Sequence, residues 1–397
     1  MNLLSAKLAA LSPSETFAMA QKSNELKAQG IDVINLSVGE PDFFTPNHIK
    51  QAAKQAIDNN FSFYSPVPGF LDLREAICRK LKNENGLDYS PAQIVVSSGA
   101  KQSLCNVLMS IVDKDEEVII PAPYWVSYPE MVKLAEGKSV FIDADIHQDF
   151  KITPQQLEAA ITPKTKAFIL CSPSNPTGSV YTKEELKTLA VVLEKYPNIF
   201  IISDEIYEHI NYISKHESIS QFDTLRDRVI IINGVSKGYA MTGWRIGWIA
   251  APQWIASACS LLQGQYTSGA CSIAQKAALA AYTGDQHCVS EMRVAFERRR
   301  NLVVKLLSEI PNLEVNMPTG AFYVFFRCEN YLGKSYNGKL IDTAADLAMY
   351  LLEEAHVACV GGDAFGAPGY LRFSYAVSDE QIEKAVARVK IALLKLV

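Results

Sequence analysis

The chain has 397 residues, with 38 basic against 43 acidic side chains and a net charge of −5. That balance lacks the basic excess a phosphate backbone demands, so nucleic acid is not expected as a partner. Its length predicts roughly two to three domains, and 48% hydrophobic residues is ordinary for a globular chain with a large core. From Met1 to Thr16 the sequence is apolar only in short pieces, interrupted by Lys7, which predicts neither a signal peptide nor a membrane span. The eight cysteines are scattered and no pair has CxxC spacing, so reduced thiols in a cytoplasmic protein are expected rather than disulfides or a metal site.

In chain order, the first predicted element is a helix over 14–29, with Ser14 and Thr16 near its start and Gly30 at its stop. Seven short runs rich in Val and Ile then read as strands. They begin at Ile94 (IVVSS), Glu117 (EVIIP), Ser139 (SVFID), Lys166 (KAFILC), Asn198 (NIFIISD), Arg228 (RVIIIN) and Arg245 (RIGWIA). The runs are apolar on both faces, and the segments between them, such as 100–111 and 183–193, are long enough for helical crossovers. The expected class is therefore α/β, with a mostly parallel seven-stranded central sheet covered by helices on both faces. A long charged helix is predicted from about His287 through Arg298, Arg299 and Arg300, then strands near 321–327 and 370–374 and helices over 344–354 and 380–396. The expected division is a large domain over 46–286 and a smaller α+β domain built from both chain ends, 1–45 and 287–397.

In open α/β sheets ligands sit beyond the carboxyl ends of the strands, so the residues just after each strand carry the argument. After RVIIIN come Ser236, Lys237, Gly238, Gly243 and Arg245. A lysine becomes a nucleophile when burial and nearby positive charge let its amine lose a proton, while small neighbours admit a ligand close to the backbone and Arg245 offers a fixed cation to a phosphate; a surface lysine in a loop is the plainer alternative. Asp204 ends NIFIISD with Tyr207 three residues on; a buried carboxylate needs a partner, which a protonated pyridine nitrogen or the next helix N-terminus would supply. Asn175 sits in the Pro-rich turn SPSNPTG. SSGAKQ, holding Gly99, Ala100 and Lys101, reads as a strand end, turn and helix start, a natural phosphate cradle. Trp125 in PYWVSY suits ring stacking or core packing. Arg372 in GYLRFSYA is costly in an apolar strand unless a carboxylate, internal or from a substrate, pairs with it.

Taken together, SVGEPDF, YSPVPG, SGAKQ, YWVSY, SPSNPTG, SDEIYE, SKGYAMTGWRIG and RFSYA resemble, in order and over nearly the whole chain, the class I aminotransferases of pyridoxal-phosphate (PLP) fold-type I, and more closely the bacterial-type aspartate aminotransferase group. The resemblance implies PLP as cofactor, held by Lys237 as a Schiff base, with Lys237 also moving the substrate proton. It implies that Asp204 pairs with the pyridine nitrogen, that Tyr207 and Asn175 bond the ring hydroxyl oxygen, and that Trp125 stacks on the ring. Gly99, Ala100, Lys101, Ser236 and Arg245 fall at the phosphate end. Tyr64 would reach the phosphate of the partner subunit, which implies a homodimer with shared sites. Arg372 would grip the substrate α-carboxylate with Asn175 and the backbone of Gly39. Lys101, Ser14 and Thr16 would meet the distal carboxylate of aspartate, with Trp125 beside the substrate. Some relatives that also accept prephenate carry a basic residue where this chain has Ser12, which weakens the prephenate reading.

The implied reaction is aspartate plus 2-oxoglutarate to oxaloacetate plus glutamate by a ping-pong cycle. Broader specificity for prephenate, aromatic amino acids or alanine, or β-lyase chemistry on the same fold, are the alternatives. Other classes fare worse. Ser98 to Lys101 spells SxxK, yet the chain has no KTG and the triplet at 203 is SDE rather than SDN. The G-x4-GK at 333–339 has Leu340 where a magnesium-binding hydroxyl belongs. A regulator that kept the fold without the chemistry would not need Lys237, Asp204 and Arg372 together.

Overall fold

The computed structural model describes residues 5–213 and 215–397; residues 1–4 of the predicted N-terminal segment lie outside them. Each of the seven apolar runs forms a strand: β1 (Ile94–Ser97), β2 (Glu117–Ala122), β3 (Lys138–Asp143), β4 (Thr165–Cys171), β5 (Phe200–Asp204), β6 (Val229–Gly234) and β7 (Gly247–Ala250). They make one sheet in the order β1-β7-β6-β5-β4-β2-β3. Neighbours from β6 to β3 are parallel, while β7 runs antiparallel to both β1 and β6. Alternate residues along a strand point to opposite faces. Ile94, Val96, Phe168 and Ile201 accordingly enter one core, and Val95, Ile169, Ile202 and Ile230 enter another on the opposite face. β3 is an edge strand and carries exposed Lys138 and Asp143, which discourages pairing with another chain.

The parallel strands end side by side. Cys171 pairs with Asp204 and Asp204 with Ile232, so the residues leaving β4, β5 and β6 open on one rim.

Both chain ends share a third core. Met19, Val33, Ile34 and Leu36 pack with Phe296, Leu307, Leu347 and Val386. Met19 comes from α1 (Glu15–Ala28), Val33, Ile34 and Leu36 from the segment after it, and the others from α4 (His287–Ser308), α5 (Ala344–Ala355) and α6 (Asp379–Leu393), with α2 (Ala100–Ile111) and α3 (Lys183–Glu194) serving the large sheet. A backbone register joins Ile34 to Val357, and a three-stranded antiparallel sheet forms from β8 (Tyr323–Arg327), β9 (Val360–Gly361) and β10 (Tyr370–Ser374), with β10 central. α1 stops where predicted, at Gly30 with φ +83, though Ser14 makes no side-chain cap bond. β7 starts two residues later than its apolar run because Arg245 adopts φ +57 and turns out of the sheet. Among the described residues no helix is long and apolar enough to cross a membrane.

Candidate active site

A cavity of about 400 Å³ opens at the carboxyl rim, between the large sheet and the smaller core. Ser14, Thr16, Gly39, Ala100, Lys101, Trp125, Asn175, Asp204, Tyr207, Ser236, Lys237, Arg245 and Arg372 all line it. Of its charged lining, four side chains are cations (Lys101, Lys237, Arg245 and Arg372) and one, Asp204, is a carboxylate. Such a cavity suits a ligand with more than one negative group.

Lys237 lies just past β6 and is enclosed. Its Nζ donates to the carbonyl oxygen of Gly39 at 2.6 Å and lies over the rings of Tyr207 (5.7 Å) and Phe322 (5.9 Å). Burial, with Arg245 and Arg372 adding to it, pulls the amine down to about 8, so a substantial neutral fraction exists near physiological pH. Asp204 ends β5 and is 5% exposed. Burial pushes its carboxyl up to about 6, against hydrogen bonds from the Tyr128 hydroxyl to Oδ2 (2.7 Å) and the Ile206 N–H to Oδ1 (3.3 Å). Among the described residues no cation hydrogen-bonds to it, and the charge of Lys237 only partly offsets the burial.

Arg372 sits on β10 and is 2% exposed. Nη1 donates to Asn175 Oδ1 at 2.8 Å and Nη2 to the carbonyl of Ser37, while Nε is buried with no partner among the described residues. The guanidinium lies between the rings of Tyr323 (4.6 Å) and Phe365 (4.8 Å). No carboxylate among the described residues hydrogen-bonds to it, which leaves a desolvated cation for an anionic ligand. The internal pairing considered from sequence is therefore not realised.

At the opposite end α2 begins against Arg245. Gly99 is its N-cap with φ +85, and a Cβ there would meet Arg245 Nη2 at 2.2 Å. Gly247 is equally required, since its Cβ would lie 2.1 Å from the Ala100 nitrogen. The two glycines bring helix N–H groups and a guanidinium together, the arrangement that binds phosphate. Lys101, one residue into the helix, is lowered by burial and by Arg245, and its ammonium lies 5.0 Å from the Trp125 ring and 5.8 Å from that of Phe17. Taken together, the neutral-capable amine, the unneutralised carboxylate, the aromatic face and the cationic cradle fit a flat, phosphorylated carbonyl compound.

Two of the sequence-predicted residues stand apart from the cavity wall. Gly99 lies beneath Arg245 rather than on the lining, and Tyr64 is 96% exposed. Lining residues that received no role from the sequence include Phe17, Tyr128, Cys171 and Tyr323. Tyr128 had a usable signal, one helical turn beyond Trp125. Tyr323 had none, because its neighbours Tyr207 and Arg372 are distant in sequence.

Comparison with known proteins agrees with this geometry. The sequence model for aminotransferase class I and II matches residues 31–389. The aspartate/prephenate aminotransferase of Cereibacter sphaeroides is 49% identical over 394 residues, covering 98% of each chain. That of Nitrosomonas europaea is 46% identical over 391 residues, covering 97% of this chain and 98% of the other. The crystal structure of the aspartate aminotransferase from Rhizobium meliloti superposes with a TM-score of 0.96 at 41% identity over all of both chains. The Thermus thermophilus aspartate aminotransferase with maleate gives 0.92 at 39% identity over 99% of this chain and 100% of the other. With its seven-stranded sheet, its rim of catalytic-type side chains and these full-length likenesses, the chain belongs to the class I and II aminotransferase family.

Proposed function

We propose that this aminotransferase uses PLP to move the amino group of aspartate to 2-oxoglutarate, giving oxaloacetate and glutamate in a ping-pong cycle. The observation that carries the reading is Arg372, a buried guanidinium with no carboxylate partner among the described residues, in one cavity with the amine of Lys237 and the second cation Lys101. When bound, PLP supplies a carbonyl carbon that takes up the amino group and a ring that draws off electrons.

The chain's own groups do the rest. Lys237 holds the cofactor and, once released, moves a proton at the substrate Cα. Asp204 keeps the ring nitrogen protonated, with Tyr128 orienting its carboxylate. Tyr207 and Asn175 serve the ring hydroxyl, and Trp125 covers the ring face. Gly99, Ala100, Lys101, Ser236 and Arg245 surround the phosphate. Arg372, with Asn175 and the Gly39 backbone, grips the α-carboxylate. Lys101, Ser14 and Thr16 meet the distal carboxylate, and Trp125 sits beside the substrate. The maleate named for the Thermus thermophilus structure is a dicarboxylate, as aspartate is.

The reading includes a cytoplasmic homodimer, with Tyr64 reaching the partner's phosphate site. Exposed Phe44, Phe63 and Tyr64 at 92%, 82% and 96% support a buried interface there, and the eight cysteines, all described, are free thiols. The domain limits are placed at 45/46 and 286/287.

Prephenate is a second acceptor to test, because relatives of nearly half-identical sequence are named for both substrates. Ser12 still argues against it: the side chain is exposed and its N–H donates to Glu130 Oε2 at 2.9 Å. The deciding experiment is initial-rate kinetics with aspartate and 2-oxoglutarate, then prephenate as acceptor. Parallel double-reciprocal lines and oxaloacetate formation are expected. No oxaloacetate from aspartate, with ammonia and pyruvate released instead from an amino acid carrying a thioether leaving group on Cβ, would mean β-lyase chemistry.

A further inference from the structure

We infer that Tyr323 is a positioning residue that locks the carboxylate clamp and the cofactor-facing phenol into one rigid unit. The inference rests on the PLP reading above for its second half only.

Tyr323 opens β8 and is 1% exposed. In the antiparallel ladder it pairs with Ser374, while Arg372 pairs with Phe325. Tyr323 and Arg372 are thus diagonal neighbours on one face, within reach of long side chains. The phenol ring lies 4.6 Å from the Arg372 guanidinium carbon, so it holds the plane of the clamp by stacking. Its hydroxyl is 2.7 Å from that of Tyr207, a residue delivered by the large sheet. The same hydroxyl fills the space a side chain would need at Gly39, where a Cβ would lie 2.0 Å from it, and the Gly39 carbonyl is the acceptor for Lys237. One buried side chain therefore touches the clamp, the phenol and the segment that holds the catalytic amine.

The two functions separate by substitution. Tyr323→Phe keeps the ring and removes the hydroxyl. Tyr323→Met fills similar space without an aromatic face. Two readings are taken on the cofactor-loaded enzyme: the pH midpoint of its visible absorption, and maleate affinity by calorimetry, which needs no chromophore. For Tyr323→Phe the midpoint rises by about half a unit to one unit, the worth of one hydrogen bond. Its maleate affinity stays within about twofold, because the ring face remains. For Tyr323→Met maleate binding weakens by about tenfold, the worth of a desolvated cation–aromatic contact. An unmoved midpoint in Tyr323→Phe, or wild-type maleate affinity in a folded Tyr323→Met, overturns the inference. Should Tyr323→Met not fold, the Phe midpoint alone decides. A wild-type chain with no visible band on adding PLP would sink the cofactor reading instead, and calorimetry would still judge the stacking.

Discussion

Lys237 donates its ammonium hydrogen to the carbonyl oxygen of Gly39 at 2.6 Å, a bond between residues 198 positions apart. It ties the buried amine that leaves the large sheet to the N-terminal segment that shares its core with the C-terminal third. The amine is enclosed, so its proton is held weakly, and its acceptor belongs to the part of the chain that also contributes Ser14 and Thr16 to the cavity.

Lys237→Ala is expected to lower transamination by at least about 10⁴-fold, since it removes the covalent anchor and the proton carrier together. Stopped-flow spectra after adding aspartate are the check. In the cofactor-free protein, capture of PLP should quicken as pH rises and level off above about 8, where the amine is neutral. A flat capture rate from pH 6 to 9 would remove Lys237 as the attacking group.

Asp204 makes a stability prediction whose sign is opposite to that of a salt-bridged carboxylate. Its folded value is raised from 3.8 to about 6, so the folded cofactor-free chain binds the extra proton. Its contribution is full below about 4 and is lost as pH rises through 6. At pH 7 the ionised group costs on the order of 3 kcal/mol. Asp204→Asn should therefore melt higher than wild type at pH 7 without cofactor and level with it at pH 4, while transamination collapses. Equal melting curves at pH 7 would show that Asp204 is neutralised some other way.

Arg372→Ala should weaken aspartate binding by about 2–5 kcal/mol, the range for one broken half of a buried charge pair. Arg372→Lys should rescue little, because the planar fork between Tyr323 and Phe365 is lost. KM values for aspartate, alanine and an aromatic amino acid should rise together, as all present the same α-carboxylate.

Lys101→Ala should instead separate those substrates, hurting aspartate far more than alanine. Comparable losses across the three amino acids would assign Lys101 to the phosphate end.

Gly99→Ala tests the cradle. The left-handed conformation and the contact with Arg245 should weaken PLP binding by tenfold or more, on the order of the strain of an L-residue there. Equilibrium titration of the visible band measures it, with Gly30→Ala as a control for positive φ in open space.

Legibility in the sequence tracked locality. Runs such as KAFILC and RVIIIN announce strands because a doubly covered sheet needs apolar side chains on both faces, and Gly30 announces a helix end because its backbone must turn left-handed. Lys237, Asp204 and Asn175 could be nominated because each stands at or just past a strand end, where an α/β sheet opens its ligand site. The antiparallel run of β7 could not, since RIGWIA has the same apolar signature in either direction. Tyr323 was hidden for a related reason. An aromatic residue beside other aromatics looks like core until the hydroxyl's partner is known, and that partner, Tyr207, comes from another part of the chain.

Chain order and residue chemistry alone were enough to settle the α/β class, the seven strands and the membership of the cationic rim, because these depend on periodicity and on the residue types at each strand's carboxyl end. Only the packed structure decided how burial tunes the amine and the carboxylate toward neutral pH, and that Arg372 meets no carboxylate among the described residues. Those outcomes depend on desolvation and on distances between residues as far apart in sequence as 198 positions for Lys237 and Gly39 and 197 for Arg372 and Asn175, which no local pattern encodes.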